Sequence, residues 1–180
     1  KDENELQHML ASAIKYPGPA ALRFPRGSGL GVPLDPKIKA IPIGESELLR
    51  DGDDLAILAI GTMVHPALEA AQELGNLGCS AAVVNARFAK PLDEVRLLSL
   101  ARRCRALVTV EEHVGSGGFG SAVLELLARE GITVPTHCVA IEANLVEHGE
   151  TRASQGLDVS DIVAACRELV SRASGAPEPD

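Results

Sequence analysis

Short apolar strands alternating with amphipathic helices predict an α/β fold: a mostly parallel five-stranded sheet with one antiparallel strand and helices on both faces. Three observations carry this reading. LAILAIG (55–61) is apolar without a break and too short for a helix, as expected of a strand covered on both faces. HPALEAAQELGNLG (65–78) follows with helical spacing and ends in glycine. The same strand-then-helix order recurs to the end of the chain, which places successive strands parallel.

Taken in order, DENELQHMLASAIK (2–15) reads as an amphipathic helix. Asp2 and Glu5 fit a capping box with Asp2 as the cap. Leu6, Met9, Leu10, Ala13 and Ile14 fall on one face. YPGP (16–19) stops the helix, AALRF (20–24) reads as a strand, and PRGSG (25–29) leaves it. One helix and one strand cannot build a core, so residues 1–30 are expected to be the end of a preceding domain. GVPLDPKIKAIP (31–42) reads as a linker.

From residue 43 the pattern is regular. GESELLRDGDDLAILAIG carries a DG turn between two strand-like runs, which predicts a hairpin and supplies the antiparallel strand. CSAAVVNARF (79–88) is the next strand. PLDEVRLLSLARRC (91–104) is a helix with Pro91 at its start, where a missing N–H costs nothing. ALVTVEE (106–112) is a strand, GFGSAVLELLAREG a helix, and PTHCVAIEA (135–143) a strand. SDIVAACRELVSRA (160–173) closes the unit with Ser160 as the expected cap, and 174–180 are a tail.

Composition narrows the function. Of 180 residues, 46% are hydrophobic, enough for a sizeable core. Aromatics are 2% and the formal net charge is −8, which disfavours base stacking, a nucleic-acid surface and an anionic membrane. No apolar run is long enough to cross a bilayer, and KDENELQHML is a charged start unlike a secretory leader. Cys79, Cys104, Cys138 and Cys166 form no C-x-x-C pair and read as reduced, mostly buried thiols. None of the five histidines stands at ligand spacing from a cysteine, so no metal site is expected. A cytoplasmic location is the matching expectation.

Residues 111–120, EEHVGSGGFG, contain G-x-G-x-x-G at a strand–helix boundary (Gly115, Gly117, Gly120), and Glu142 lies where a ribose-binding acid would fall. Against a dinucleotide site stand Glu111 and Glu112, which would meet a pyrophosphate with like charge. The loop also lies in the third strand–helix unit, and no basic residue falls between Glu111 and Leu127. The alternative is a tight turn whose glycines let a helix approach a sheet closely.

Three stretches are more specific than that loop: GPAALRFPRG (18–27), LAILAIGTMVHPALEAAQEL (55–74), and VVNARFAKPLDEVRLLSLARRCRALVTVEEHVGSGGFGSAVLELL (83–127). Together they resemble the carboxy-terminal part of the 1-deoxy-D-xylulose-5-phosphate synthases, members of the transketolase-like, thiamine-diphosphate-dependent enzymes. KDENELQHML resembles the helix before that family's YPRG segment, and HG (148–149) and QGLD (155–158) fit its closing region. The resemblance implies that residues 1–30 end the pyrimidine-binding second domain and that 43–173 form a transketolase C-terminal-like third domain. It implies a homodimer that condenses pyruvate with D-glyceraldehyde 3-phosphate, releasing CO₂. The cofactors implied for the complete enzyme are thiamine diphosphate and Mg²⁺. The G-D-G…N metal motif and a candidate for the activating glutamate are both missing here, so this part alone is expected to be inactive and to bind neither. Its partner would be the remaining N-terminal part of the enzyme. The relatives transketolase and the β subunit of 2-oxo-acid dehydrogenases share the fold, and a separate assembly module is the alternative of another class.

On the same resemblance, Arg26 of FPRG is the expected substrate-binding residue, forking onto the phosphate of glyceraldehyde 3-phosphate. Phe24 replaces the family's usual Tyr. Arg23 is expected to be structural or a salt-bridge partner. Arg87 and Lys90 are expected to pair with Glu111 or Glu112 at the sheet end. Glu111, Glu112 and His113 read as a sheet-end network rather than an acid–base group. His148 reads as a loop contact, and Asp51, Asp53 and Asp54 as a solvated turn.

Overall fold

The computed structural model describes residues 1–25, 27–142, 146 and 150–173. The chain runs α1 (Glu3–Lys15), β1 (Glu47–Arg50), β2 (Leu55–Ala59), α2 (Val64–Asn76), β3 (Ala81–Asn85), α3 (Glu94–Arg103), β4 (Ala106–Val114), α4 (Phe119–Arg129), β5 (Thr136–Ile141) and α5 (Val159–Ala173). The strands form one sheet in the order β1-β3-β2-β4-β5. β1 is antiparallel to β3, and every other pairing is parallel. The predicted five-stranded mixed sheet is what folds.

Strand alternation builds two cores. Leu55, Ile57, Val83, Val108 and Val110 point to the face covered by α2 and α5, where Leu74, Ile162 and Cys166 meet them. Ala56, Leu58, Val84 and Leu107 point to the opposite face, covered by α3 and α4 through Leu97, Leu100, Val123 and Leu126. Both faces are therefore sealed, which is why β2 and β3 are buried at every position.

The DG turn does not close a hairpin. β1 pairs with β3, and β3 lies between β1 and β2. The connection 51–54 has to span two strand spacings, about 9.6 Å, which four residues bridge easily. It crosses the start of β3 so closely that a Cβ on Gly52 would sit 2.4 Å from the Ala81 carbonyl carbon.

Other local expectations shift as well. Residues 20–24 form no strand, because none of the sheet's strands pairs with them. Pro91 lies ahead of α3, after a cis peptide from Lys90; Asp93 caps the helix instead, accepting from Arg96 N at 3.1 Å. Ser160 sits inside α5. The Asp161 carboxylate returns to Asp158 N at 2.9 Å, so the capping position falls at Asp158. Asp2 does cap α1, accepting from Glu5 N at 2.7 Å.

The apolar stripe of α1 does not face the sheet. Leu10 and Ile14 are 50% and 76% exposed, while Glu5, His8 and Ser12 are buried. The buried stripe is polar because it serves the neighbouring chain. His8 Nδ1 accepts from Lys39 N at 3.0 Å and Nε2 faces Asp35 at 2.9 Å. Ser12 Oγ accepts from Ile41 N at 2.6 Å. The irregular segment 31–42 is thus strapped along α1. Among the described residues no helix is long and apolar enough to cross a membrane.

Candidate functional site at the sheet's carboxyl edge

In a parallel sheet, loops leaving the carboxyl ends of the strands carry the chemistry. Here β4 delivers two adjacent carboxylates to that edge with opposite duties. Glu111 is 2% exposed and turns toward α4. Its Oε2 accepts from Phe119 N and its Oε1 from Gly120 N, both at 2.7 Å. A carboxylate bound this way satisfies two orphan donors and meets the positive end of the helix.

That geometry explains the glycine pattern. A Cβ on Gly118 would lie 2.3 Å from Glu111 Oε2, and one on Gly120 would lie 2.6 Å from Thr109 Oγ1 and 2.7 Å from Cys138 Sγ. The glycines admit the protein's own carboxylate and the approach of α4 to the sheet. A pyrophosphate would need the donors that Glu111 already holds, so the loop is a structural turn and not a dinucleotide cradle.

Glu112 lies at the ends of β2 and β4, whose following helices α2 and α4 cover opposite faces of the sheet. Thr62 Oγ1 donates to its Oε2 at 2.7 Å, and Arg152 Nε lies 3.3 Å from Oε1. Its backbone oxygen accepts from Arg23 Nη2 at 2.8 Å. Of the sheet-end network expected around Glu111, Glu112 and His113, Glu112 is the member so engaged, with Thr62, Arg152 and Arg23, while Glu111 turns to α4. His113 is exposed, with Nδ1 3.0 Å from Val114 O.

Arg87 joins a different group. Its Nε lies 2.8 Å from Glu5 Oε1 and its Nη2 3.1 Å from Glu47 Oε2. The expected pairing with Glu111 or Glu112 fails because β2 stands between β3 and β4, whereas antiparallel β1 sets Glu47 opposite Asn85. Asn85 Nδ2 donates to Glu5 Oε1 at 2.7 Å, and Arg87 adopts φ 59° to turn its side chain into the cluster. Lys90 is exposed and takes no part in this cluster. Burial alone would raise the Glu5 carboxyl. Hydrogen bonds from Arg87 and Asn85 oppose that rise and favour the ionised form. Sequence reading missed Glu5. The available signal was the polar spacing Glu5, His8, Ser12 on the face of the helix opposite its apolar stripe.

The acidic turn is more engaged than expected. Asp51 and Asp53 both face Arg103, and Asp54 pairs with Arg105 while accepting from Ser80 N at 2.7 Å. All four cysteines are free thiols. Among the described residues no three His, Cys, Asp or Glu side chains gather into a metal set. With the start of α4 filled by Glu111, the described residues do not fit a thiamine diphosphate–Mg²⁺ site. Arg26, His148 and the tail 174–180 lie outside the described residues.

Comparison with known proteins agrees with this architecture. The family profile "Transketolase, C-terminal domain" matches residues 44–162. The chain is 52% identical to 1-deoxy-D-xylulose-5-phosphate synthase 1 of Geobacter sulfurreducens, over 99% of this chain and 29% of that protein. It is 51% identical to the corresponding synthase of Heliobacterium modesticaldum, over 97% of this chain and 28% of that protein. It thus spans less than a third of the length of these relatives. Among solved structures, a split-gene transketolase described as an inactive β4 tetramer superposes with a TM-score of 0.69 at 38% identity, over 78% of this chain and 46% of that one. Transketolase from Campylobacter jejuni shares the fold at a TM-score of 0.53 and 20% identity, over 69% of this chain and 18% of that one. With the sheet order, the two-faced core and the matched span in agreement, the chain belongs to the transketolase C-terminal domain family.

Proposed function

We propose that this chain is the carboxy-terminal part of a 1-deoxy-D-xylulose-5-phosphate synthase, which joins pyruvate to D-glyceraldehyde 3-phosphate with loss of CO₂. The observation that carries this reading is the extent of the similarity. Identity near 50% runs over nearly the whole chain, including residues 1–43 ahead of the family profile's span.

On this reading residues 1–30 close the second domain, 31–42 link, 43–173 form the third domain and 174–180 trail from it. Thiamine diphosphate with Mg²⁺, held by the remainder of a cytoplasmic homodimer, supplies the electron sink for decarboxylation. This chain contributes architecture and one substrate ligand, Arg26, whose guanidinium holds the phosphate of the aldehyde substrate through two charge-assisted bonds. The isolated chain is inactive.

The test is steady-state kinetics on the full-length enzyme. Arg26→Ala should raise KM for D-glyceraldehyde 3-phosphate while leaving KM for pyruvate unchanged. Unchanged constants for both substrates would refute the assignment. Product formation by the isolated chain with thiamine diphosphate and Mg²⁺ would overturn the structural role.

The similarity to a split-gene transketolase favours one second reading, a separately encoded piece that assembles with a partner holding the cofactor. Native mass spectrometry of the protein from its natural source separates the two by showing one long polypeptide or two.

A further inference from the structure

Side chains of α1 hold the backbone of residues 35–41 along the helix. Asn4 Oδ1 accepts from Asp35 N at 2.8 Å, His8 Nδ1 from Lys39 N at 3.0 Å, and Ser12 Oγ from Ile41 N at 2.6 Å. The middle fastening differs from its neighbours. An amide or hydroxyl oxygen accepts at any physiological pH, whereas an imidazole nitrogen accepts only while it is unprotonated.

The two partners of His8 fix which nitrogen carries the proton. A backbone N–H cannot accept, so Nδ1 presents its lone pair to Lys39. Nε2 then bears the hydrogen and donates to Asp35 Oδ2, 2.9 Å away. Hydrogen bonds from His8 and Asn4 hold the Asp35 carboxyl below its ordinary range, which keeps it an acceptor. Protonation places a second hydrogen on Nδ1, directly against the Lys39 N–H. His8 is 9% exposed, so two donors that meet there both lose an acceptor.

Charge does not offset this. Nε2 donates to Asp35 in both states, and the Asp35 side chain is 59% exposed, so the added attraction of an imidazolium is screened. The groove beside His8 is lined by Lys1, Lys39 and Arg87 and by Glu5, Asp35 and Glu47, three charges of each sign. Arg87 engages both Glu5 and Glu47. With the charges balanced, the hydrogen-bond geometry at Nδ1 decides.

We infer that His8 is a pH-sensitive latch between α1 and the segment leading to β1: the neutral imidazole closes it on Lys39 N, and protonation releases that backbone. The inference stands apart from the synthase reading. Opening takes up a proton, so the closed form is favoured above the range where histidine titrates and is lost as pH falls through it. A free imidazole titrates near about 6.5, so one unit below that the open form gains about tenfold.

Hydrogen exchange on the full-length protein tests the latch, resolved to single amides by mass spectrometry and corrected for intrinsic rates. Between about pH 7.5 and about pH 5.5 the protection of Lys39 N should fall about tenfold, while Asp35 N and the amides of β2 keep theirs. Exchange at the His8 imidazole C2 carbon, read in the same samples, should follow the same pH course. His8→Asn keeps a short-armed acceptor that does not titrate, and should show no such fall. Asp35→Asn should still show it, because release depends on Nδ1. Flat Lys39 protection in wild type, an equal fall in His8→Asn, or loss of the response in Asp35→Asn would each overturn the latch. If His8→Asn loses protection in β2 as well, the wild-type comparison decides: imidazole protonation out of step with Lys39 release sinks the inference, and coincidence upholds it.

Discussion

Arg87 reaches Glu5 across eighty-two positions of sequence, Nε to Oε1 at 2.8 Å, and so binds the helix at one end of the chain to the carboxyl end of a central strand. Glu5 is 4% exposed, and Asn85 and Glu47 complete the group. Removing one member of a buried ion pair strands the other without solvent. Arg87→Met should cost about 3 kcal/mol of unfolding free energy, measured by urea titration. Adding Glu5→Met should return at least half of that loss. Simple additivity of the two substitutions would show that the pair is not coupled.

The same group sets an acid response. Against the rise that burial alone would cause, hydrogen bonds from Arg87 and Asn85 lower the Glu5 carboxyl below its ordinary 4.5. A depressed value means that ionised Glu5 stabilises the fold fully above about pH 4.5, and that this contribution is lost as pH falls below it. Wild-type unfolding free energy should decline below that pH more steeply than that of Glu5→Gln. Parallel acid limbs for the two proteins would contradict an ionised, partnered Glu5.

Glu111 is expected to behave as an internal anion for α4. Glu111→Ala removes both acceptors from Phe119 N and Gly120 N and should lower stability by about 2 kcal/mol. It also leaves a small space facing the positive end of the helix. Formate should recover part of the melting temperature in Glu111→Ala and none in wild type. Equal responses of the two proteins to formate would count against the cap.

Cys166 is fully buried, and burial, with Cys79 adding to it, pushes its thiol up to about 12. The thiolate is the reactive form, so the native protein at pH 8 should leave Cys166 unmodified by iodoacetamide. Labelling should appear only with denaturant, in step with unfolding. Modification in native buffer at the rate of an exposed thiol would contradict the burial.

Legibility divides by range. The unbroken apolar runs of β2 and β3 could be read directly, because a strand sealed on both faces leaves no polar position. The helices declared themselves through spacing, and Asp2 through its cap. The acids ahead of the glycine loop already argued against a bound pyrophosphate, and Glu111 lying on the α4 donors is the physical form of that argument. Arg23 was expected to be structural, and its bond to the Glu112 carbonyl fits.

What stayed hidden depends on which distant segments meet. RDGD reads as a hairpin turn whether or not a third strand enters between its arms, and only β3 lying between β1 and β2 decides the matter. Arg87 carries the same charge toward any acid; strand order gives it Glu5 and Glu47 and denies it Glu111. On α1 the face that packs on this unit is Glu5, His8 and Ser12, because hydrogen bonds to residues 35–41 and to Asn85 are made there. By itself the sequence determined the local elements, the two-faced core and the family resemblance, since these rest on periodicity and short motifs. Partner choice among strands and charges was left to the tertiary structure, because such contacts join residues whose separation along the chain carries no information about their separation in space.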